Sequence, residues 1–147
     1  MHKEKWGCKP FMMIELDMQS DIPIYTQLTN QIIEGIASGI LKPGEALPSV
    51  RSLASDIGIN LHTVNKAYQL LKQEDYIHIH RQKGVVVNPN GMPEANKEFS
   101  DKQNSQIRPL IAEAILRGVT LTEMKEMMER IYQEIEPPVN KADNKEE

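Results

Sequence analysis

The sequence predicts a mainly α fold with a small β wing, in which three short helices and a hairpin precede a two-helix tail. Three observations carry that reading. Apolar residues recur at helical spacing in several separate segments. Two of these segments, one closing at Gly58 and the next opening at Leu61, are separated only by Ile59 and Asn60. Beyond them, Ile77-His78-Ile79-His80 and Val85-Val86-Val87 flank the basic turn Arg81-Gln82-Lys83-Gly84, the pattern of two short strands.

The first helix follows Asp21-Ile22-Pro23. Proline at a first helical position loses no needed hydrogen bond, Tyr25, Leu28, Ile32 and Ile36 form one apolar face, and Gly39 is a natural stop. Lys42-Pro43-Gly44 reads as a turn. Ser49 is a good N-cap for a short second helix, lined on one side by Val50, Leu53, Ala54 and Ile57 and closed by Gly58. In the third, LHTVNKAYQLLKQ, the apolar stripe is Val64, Ala67, Tyr68 and Leu71, with His62, Asn65, Lys66, Gln69 and Lys72 elsewhere. Helices joined by so short a turn cross steeply, which is a helix-turn-helix, and the hairpin after Asp75 supplies a wing.

Residues 88–106 are polar and contain two prolines, so a linker over 89–104, or a loosely held helix start, is expected there. Ile107, Leu110, Ile111, Ala114 and Ile115 then mark a helix in which Pro109 either makes a kink or sits in the first turn, and Gly118 ends it. Thr120 with Glu123 makes a capping box for a last helix. Its apolar positions, Leu121, Met124, Met128, Ile131 and Ile135, alternate steps of three and four, a coiled-coil seam. The organisation expected is therefore a flexible N-terminal extension over 1–12, a winged helix-turn-helix domain over 13–88, the linker, a helical dimerisation tail over 105–136, and a disordered tail over 137–147.

Charge narrows the function. Residues 1–91 hold nine Lys+Arg against nine Asp+Glu, and residues 92–147 hold eight against twelve, which accounts for the net charge of −4. Any nucleic-acid surface must then come from local clustering, and Lys66, Lys72, Arg81 and Lys83 with His62, His78 and His80 are such a cluster. No membrane span and no secretory signal is legible, and the single Cys8 cannot form an internal disulfide. His78 and His80 share one face of a strand, but no carboxylate or thiol accompanies them, so neither a metal nor any other cofactor is expected. The chain shows no phosphate-binding glycine loop, nucleophile elbow or paired histidines at metal spacing, which argues against an enzyme.

Taken in order, PIYTQLTNQI, GILKPGEALPSVRSLASDIGI, HTVNKAYQLLKQEDYI and RQKGVVV resemble the winged helix-turn-helix domain of GntR-family bacterial transcription regulators over residues 22–87. The short two-helix tail resembles the YtrA-type subfamily in particular. Departures from the family pattern are Asp75 in place of the usual glycine, Leu61 where Arg or Pro is common, and His62 where a small polar residue is usual. The resemblance implies a homodimeric, sequence-specific regulator of the cytoplasm, a repressor at an inverted-repeat DNA operator, in many such cases of a transporter operon. It also implies DNA contacts: Arg51 on a phosphate, the segment Asn60, Leu61, His62, Thr63, Asn65 and Lys66 in the major groove, and Arg81, Lys83 and Gly84 at the wing tip. The dimer surface would comprise Leu110 and Ile111 with the Leu121–Ile135 seam. A small-molecule effector, if the protein has one, is expected at an interface rather than inside one tail. Two other readings stay open: an RNA-binding, antiterminator-type module, and a protein-interaction adaptor working through its tail.

Overall fold

The computed structural model describes residues 12–138, so the expected disordered tail and all but the last residue of the expected N-terminal extension lie outside the described residues, apart from Pro137 and Pro138. The chain forms two compact units, Met1–Met92 and Pro93–Glu147.

In the first unit, helix α1 (Ile24–Ala37) buries Leu28 and Ile32 as its periodicity requires, and Thr29 and Gly35 with them. Pro23 is the N-cap rather than the first helical residue, because its ψ of 144° is still extended. Its carbonyl accepts from the N–H groups of Thr26 and Gln27, both at 3.0 Å. Against α1 runs a segment without regular structure, residues 12–17, whose first residue the sequence had assigned to the extension. Gln27 Oε1 accepts from Asp17 N at 2.8 Å while Gln27 Nε2 donates to Asp17 O at 2.9 Å, and Gln31 pairs in the same two-way manner with Glu15. Two side-chain amides one helical turn apart thus satisfy this backbone as a neighbouring strand would. A Cβ on Gly35 would stand 3.1 Å from Met12 Sδ and from Leu41 Cδ1, so Met12, the last residue of the expected extension, packs against the domain.

Strand β1 (Ala46–Leu47) comes next, then helices α2 (Val50–Ile57) and α3 (Leu61–Gln73), and strands β2 (Ile77–His80) and β3 (Gly84–Val87). The sheet is antiparallel in the order β1-β3-β2, with Leu47 opposite Val85 and Ile77 opposite Val87. β1 was not expected, because two residues are too few to show an alternation. It forms because the turn at Lys42–Gly44 returns the chain alongside β3, where Gly44 N donates to Val87 O and Val87 N to Glu45 O, both at 2.9 Å. Ser49 and Gly58 act as foreseen: Ser49 Oγ accepts from Ser52 N at 3.1 Å, and Gly58 closes α2 in the left-handed conformation.

The core is the junction of α1, α2, α3 and the sheet, with Leu28, Ile32, Leu41, Leu53, Val64, Tyr68, Leu71 and Ile77 fully enclosed. Tyr68 brings a hydroxyl into that core and donates it to Pro48 O at 2.8 Å; burial pushes its phenol pKa well above the ordinary range, so the donor is kept. The α3–β2 corner is held by Asn88, whose Nδ2 donates to Asp75 O at 2.8 Å and whose backbone N donates to Tyr76 O.

At that corner Asp75 adopts a φ of 62°, unlike every other described non-glycine residue. The left-handed region crowds a Cβ, which is the physical reason for a glycine here, and aspartate tolerates it better than most. Asp75→Gly is therefore expected to raise stability by about 0.5–1 kcal/mol, the relief of strain exceeding the added freedom of the unfolded chain. Urea unfolding would show this as a higher midpoint at unchanged slope, and a lower midpoint would show that the aspartate is not strained.

The second unit consists of α4 (Lys97–Leu116) and α5 (Leu121–Ile135). The linker expected over 89–104 is too long: α4 starts at Lys97 because Asn96 caps it, its Oδ1 accepting from Phe99 N at 2.9 Å. Pro109 consequently lies inside α4, not in its first turn. The capping box of α5 is complete, with Glu123 N donating to Thr120 Oγ1 at 3.2 Å and Thr120 N donating to Glu123 Oε2 at 2.7 Å. Those bonds from Thr120 hold the Glu123 carboxyl below its usual range. Neither helix buries a single residue.

Candidate nucleic-acid interface

The construction of α3 separates packing from recognition. At about 100° per residue, Val64, Ala67, Tyr68 and Leu71 fall on one side and are buried, while His62, Lys66 and Gln69 fall opposite them and are exposed. Leu61 and Thr63 flank the buried stripe. Leu61 is 40% exposed. Asn65 is exposed as well. Asn60 has a structural task that the sequence reading did not assign it: as N-cap of α3 its Oδ1 accepts from His62 N at 2.7 Å, which leaves its NH₂ group as the part able to meet a ligand. The cap satisfies one of the free N–H groups of the first turn of α3.

Arg51 occupies the second position of α2, exposed, and no carboxylate among the described residues pairs with it. Arg81 and Lys83 are exposed in the turn between β2 and β3, likewise without an ion-pair partner among the described residues. Gly84 opens β3 at a φ of 71° with nothing within 4 Å of where a Cβ would lie, so the wing tip is open to the approach of another molecule. Cations with unused hydrogen-bond donors, on a helix start and a loop tip, suit phosphate oxygens. α2 packs on α3 and α3 packs on β2, so these groups are carried on one continuous scaffold.

The rings of His78 and His80 meet edge-on, their centroids 5.9 Å apart. His62 does not join them, and among the described residues no three His, Cys, Asp or Glu side chains are grouped to hold a metal. One contact was invisible in the sequence. Lys66 Nζ lies 3.9 Å from the centroid of the Tyr25 ring, on α1. Periodicity identified Tyr25 only as a core-facing residue, and a pairing between positions so distant leaves no local signal.

The second unit presents a different kind of surface. Leu110, Ile111, Leu121, Met128 and Ile131 are exposed, Leu121 by 72%, while Met124 and Ile135 are half-buried. Phe99, Leu116 and Tyr132, which the seam did not include, are exposed too. Apolar side chains repeated along two helices are more than the scattered exposure of an ordinary surface.

Comparison with known proteins accords with this geometry. The profile of bacterial regulatory proteins of the gntR family matches residues 24–87. The HTH-type transcriptional repressor YtrA of Bacillus subtilis is 36% identical over 123 residues, 84% of this chain and 95% of its own. Among solved structures, a transcriptional antiterminator from Listeria monocytogenes superposes with a TM-score of 0.80 at 28% identity, covering 86% of this chain and 94% of that one. YtrA from Sulfolobus acidocaldarius, a GntR-family transcription factor, gives 0.50 at 36% identity, covering 83% and 98%.

Proposed function

The chain belongs to the gntR family of bacterial regulatory proteins and is a DNA-binding transcriptional regulator, not an enzyme; from that premise we propose that it is a homodimeric repressor acting at an inverted-repeat operator. The observation that carries this reading is the capped first turn of α3, with Leu61, His62 and Asn65 exposed around it and the unpaired Arg51 on the neighbouring helix. In this reading Asn60 to Lys66 enter the major groove, where base edges differ in their donors and acceptors. Arg51 fixes register on a phosphate, and Arg81, Lys83 and Gly84 bring the wing to the flanking minor groove. The apolar faces of α4 and α5 meet those of a second copy, and two-fold symmetry then requires a palindromic site. The name of the Bacillus relative, a transcriptional repressor, supports repression in this reading, and a DNA target places the protein in the cytoplasm in the same reading. An effector, if one exists, would bind at an interface.

Arg51→Ala tests the DNA-binding surface. It is expected to weaken binding to all sequences alike and to reduce the slope of log K against log salt by about one, the release of one counterion. Unchanged affinity and slope would remove Arg51 from the interface. A second reading is favoured by one observation, the TM-score of 0.80 to a protein described as an antiterminator. A gel shift on the DNA upstream of the chain's own gene, with and without competitor RNA, separates the two: displacement by RNA at equal concentration would favour an RNA target.

A further inference from the structure

We propose that Tyr25 of α1 is a positioning residue for DNA binding, its ring holding the ammonium of the exposed Lys66 of α3 in place. The inference rests on the DNA-binding reading of α3 given above. Lys66 Nζ stands 3.9 Å from the Tyr25 centroid, well inside the roughly 6 Å over which an aromatic face attracts a cation. No carboxylate among the described residues pairs with Lys66, so the ring directs a charge that would otherwise swing on a flexible four-carbon stem. The ring itself is not free to swing. Tyr25 is half-buried and packed against the core, and α1 lies against α3.

A cation–π contact uses one side of the ammonium and leaves the other N–H donors pointing away from the ring. Lys66 is exposed and springs from the side of α3 that carries His62 and Gln69 and no core residue, so those donors stay open to a ligand. An ammonium already confined there loses less freedom when it meets a phosphate, so binding is tighter with the same contacts. α1 thereby takes part in DNA binding without having to touch DNA through this ring.

A double-mutant cycle on the full chain tests this, with binding to a duplex from upstream of its own gene measured across a salt series. Lys66→Met is expected to weaken binding and lower the salt slope by about one. Tyr25→Leu, which removes the ring, is expected to weaken binding about two- to fivefold with the slope retained, and Tyr25→Phe, which keeps an aromatic face, is expected to bind like the parent. In the Lys66→Met background, Tyr25→Leu should have no further effect. Should the two changes add, Tyr25 acts on folding or packing and the proposal is overturned. The same holds if Lys66→Met leaves affinity and slope untouched. Should Tyr25→Leu fail to fold, proton NMR of the free parent protein decides: ring-current shifts on the Lys66 Cε protons are expected, and their absence overturns the proposal. A parent chain that shows no salt-dependent duplex binding would instead refute the reading of α3 on which the inference rests.

Discussion

A chain ending at Met92 is expected to sediment as a monomer and to bind an operator of two half-sites roughly 10²–10⁴-fold more weakly than the full chain, the range typical of losing a second linked contact. The core enclosed by α1, α2, α3 and the sheet lies wholly before that cut, so the fragment retains what it needs to fold. What it loses is the set of apolar side chains on α4 and α5 that nothing in the described chain covers. Each such side chain contributes about 1.5–3 kcal/mol when fully buried, so burial of Leu110, Leu121, Met128 and Ile131 against a second copy is the driving force expected to offset the cost of association. Half-site affinity should survive, because the groups of α2, α3 and the wing are intact. The full chain carrying Met128→Asp with Ile131→Asp should behave in the same way. If the fragment instead dimerises at micromolar concentration, the dimer surface lies in the first unit and the assignment of the tail is wrong.

Leu61→Arg is expected to move base preference at one position of each half-site toward guanine by about 1–3 kcal/mol, with distant positions unaffected. Leucine has no hydrogen-bonding group, so it cannot make the paired contact to guanine O6 and N7 that arginine makes. It can pack against a thymine methyl, so a T·A pair is expected opposite it. Its position in the first turn of α3 and its 40% exposure leave the side chain available for this. Selection from randomised half-sites measures the change directly. An unaltered selected sequence, in a variant that remains folded, would mean that Leu61 reads no base.

Much of this was legible in the residues alone because it depends on neighbours close in sequence. The stripes Leu28–Ile32 and Val64–Leu71, the Ser49 and Gly58 boundaries of α2, and the Thr120–Glu123 box are all local arrangements, set by helical spacing and by side chains able to reach a backbone group within a few positions. That Asp75 occupies a position usually held by glycine came only from the family resemblance, and its φ of 62° supplies the physical reason.

Other features depend on segments meeting across the fold. β1 exists only because a turn returns Ala46 and Leu47 to β3, and two residues have no periodicity of their own to announce a strand. Met12 packs against the domain beside Gly35 of α1, and Gln27 and Gln31 hold the backbone of Glu15 and Asp17, a match between a helix face and a segment distant from it in sequence. Local pattern by itself determined which helices form, where they stop and which faces are apolar, since spacing and capping act over a few residues. Only the tertiary structure decided that Tyr25 carries Lys66 and that the apolar faces of α4 and α5 stay uncovered within the described chain. Those outcomes turn on distances between segments far apart in sequence, which are fixed when the core packs.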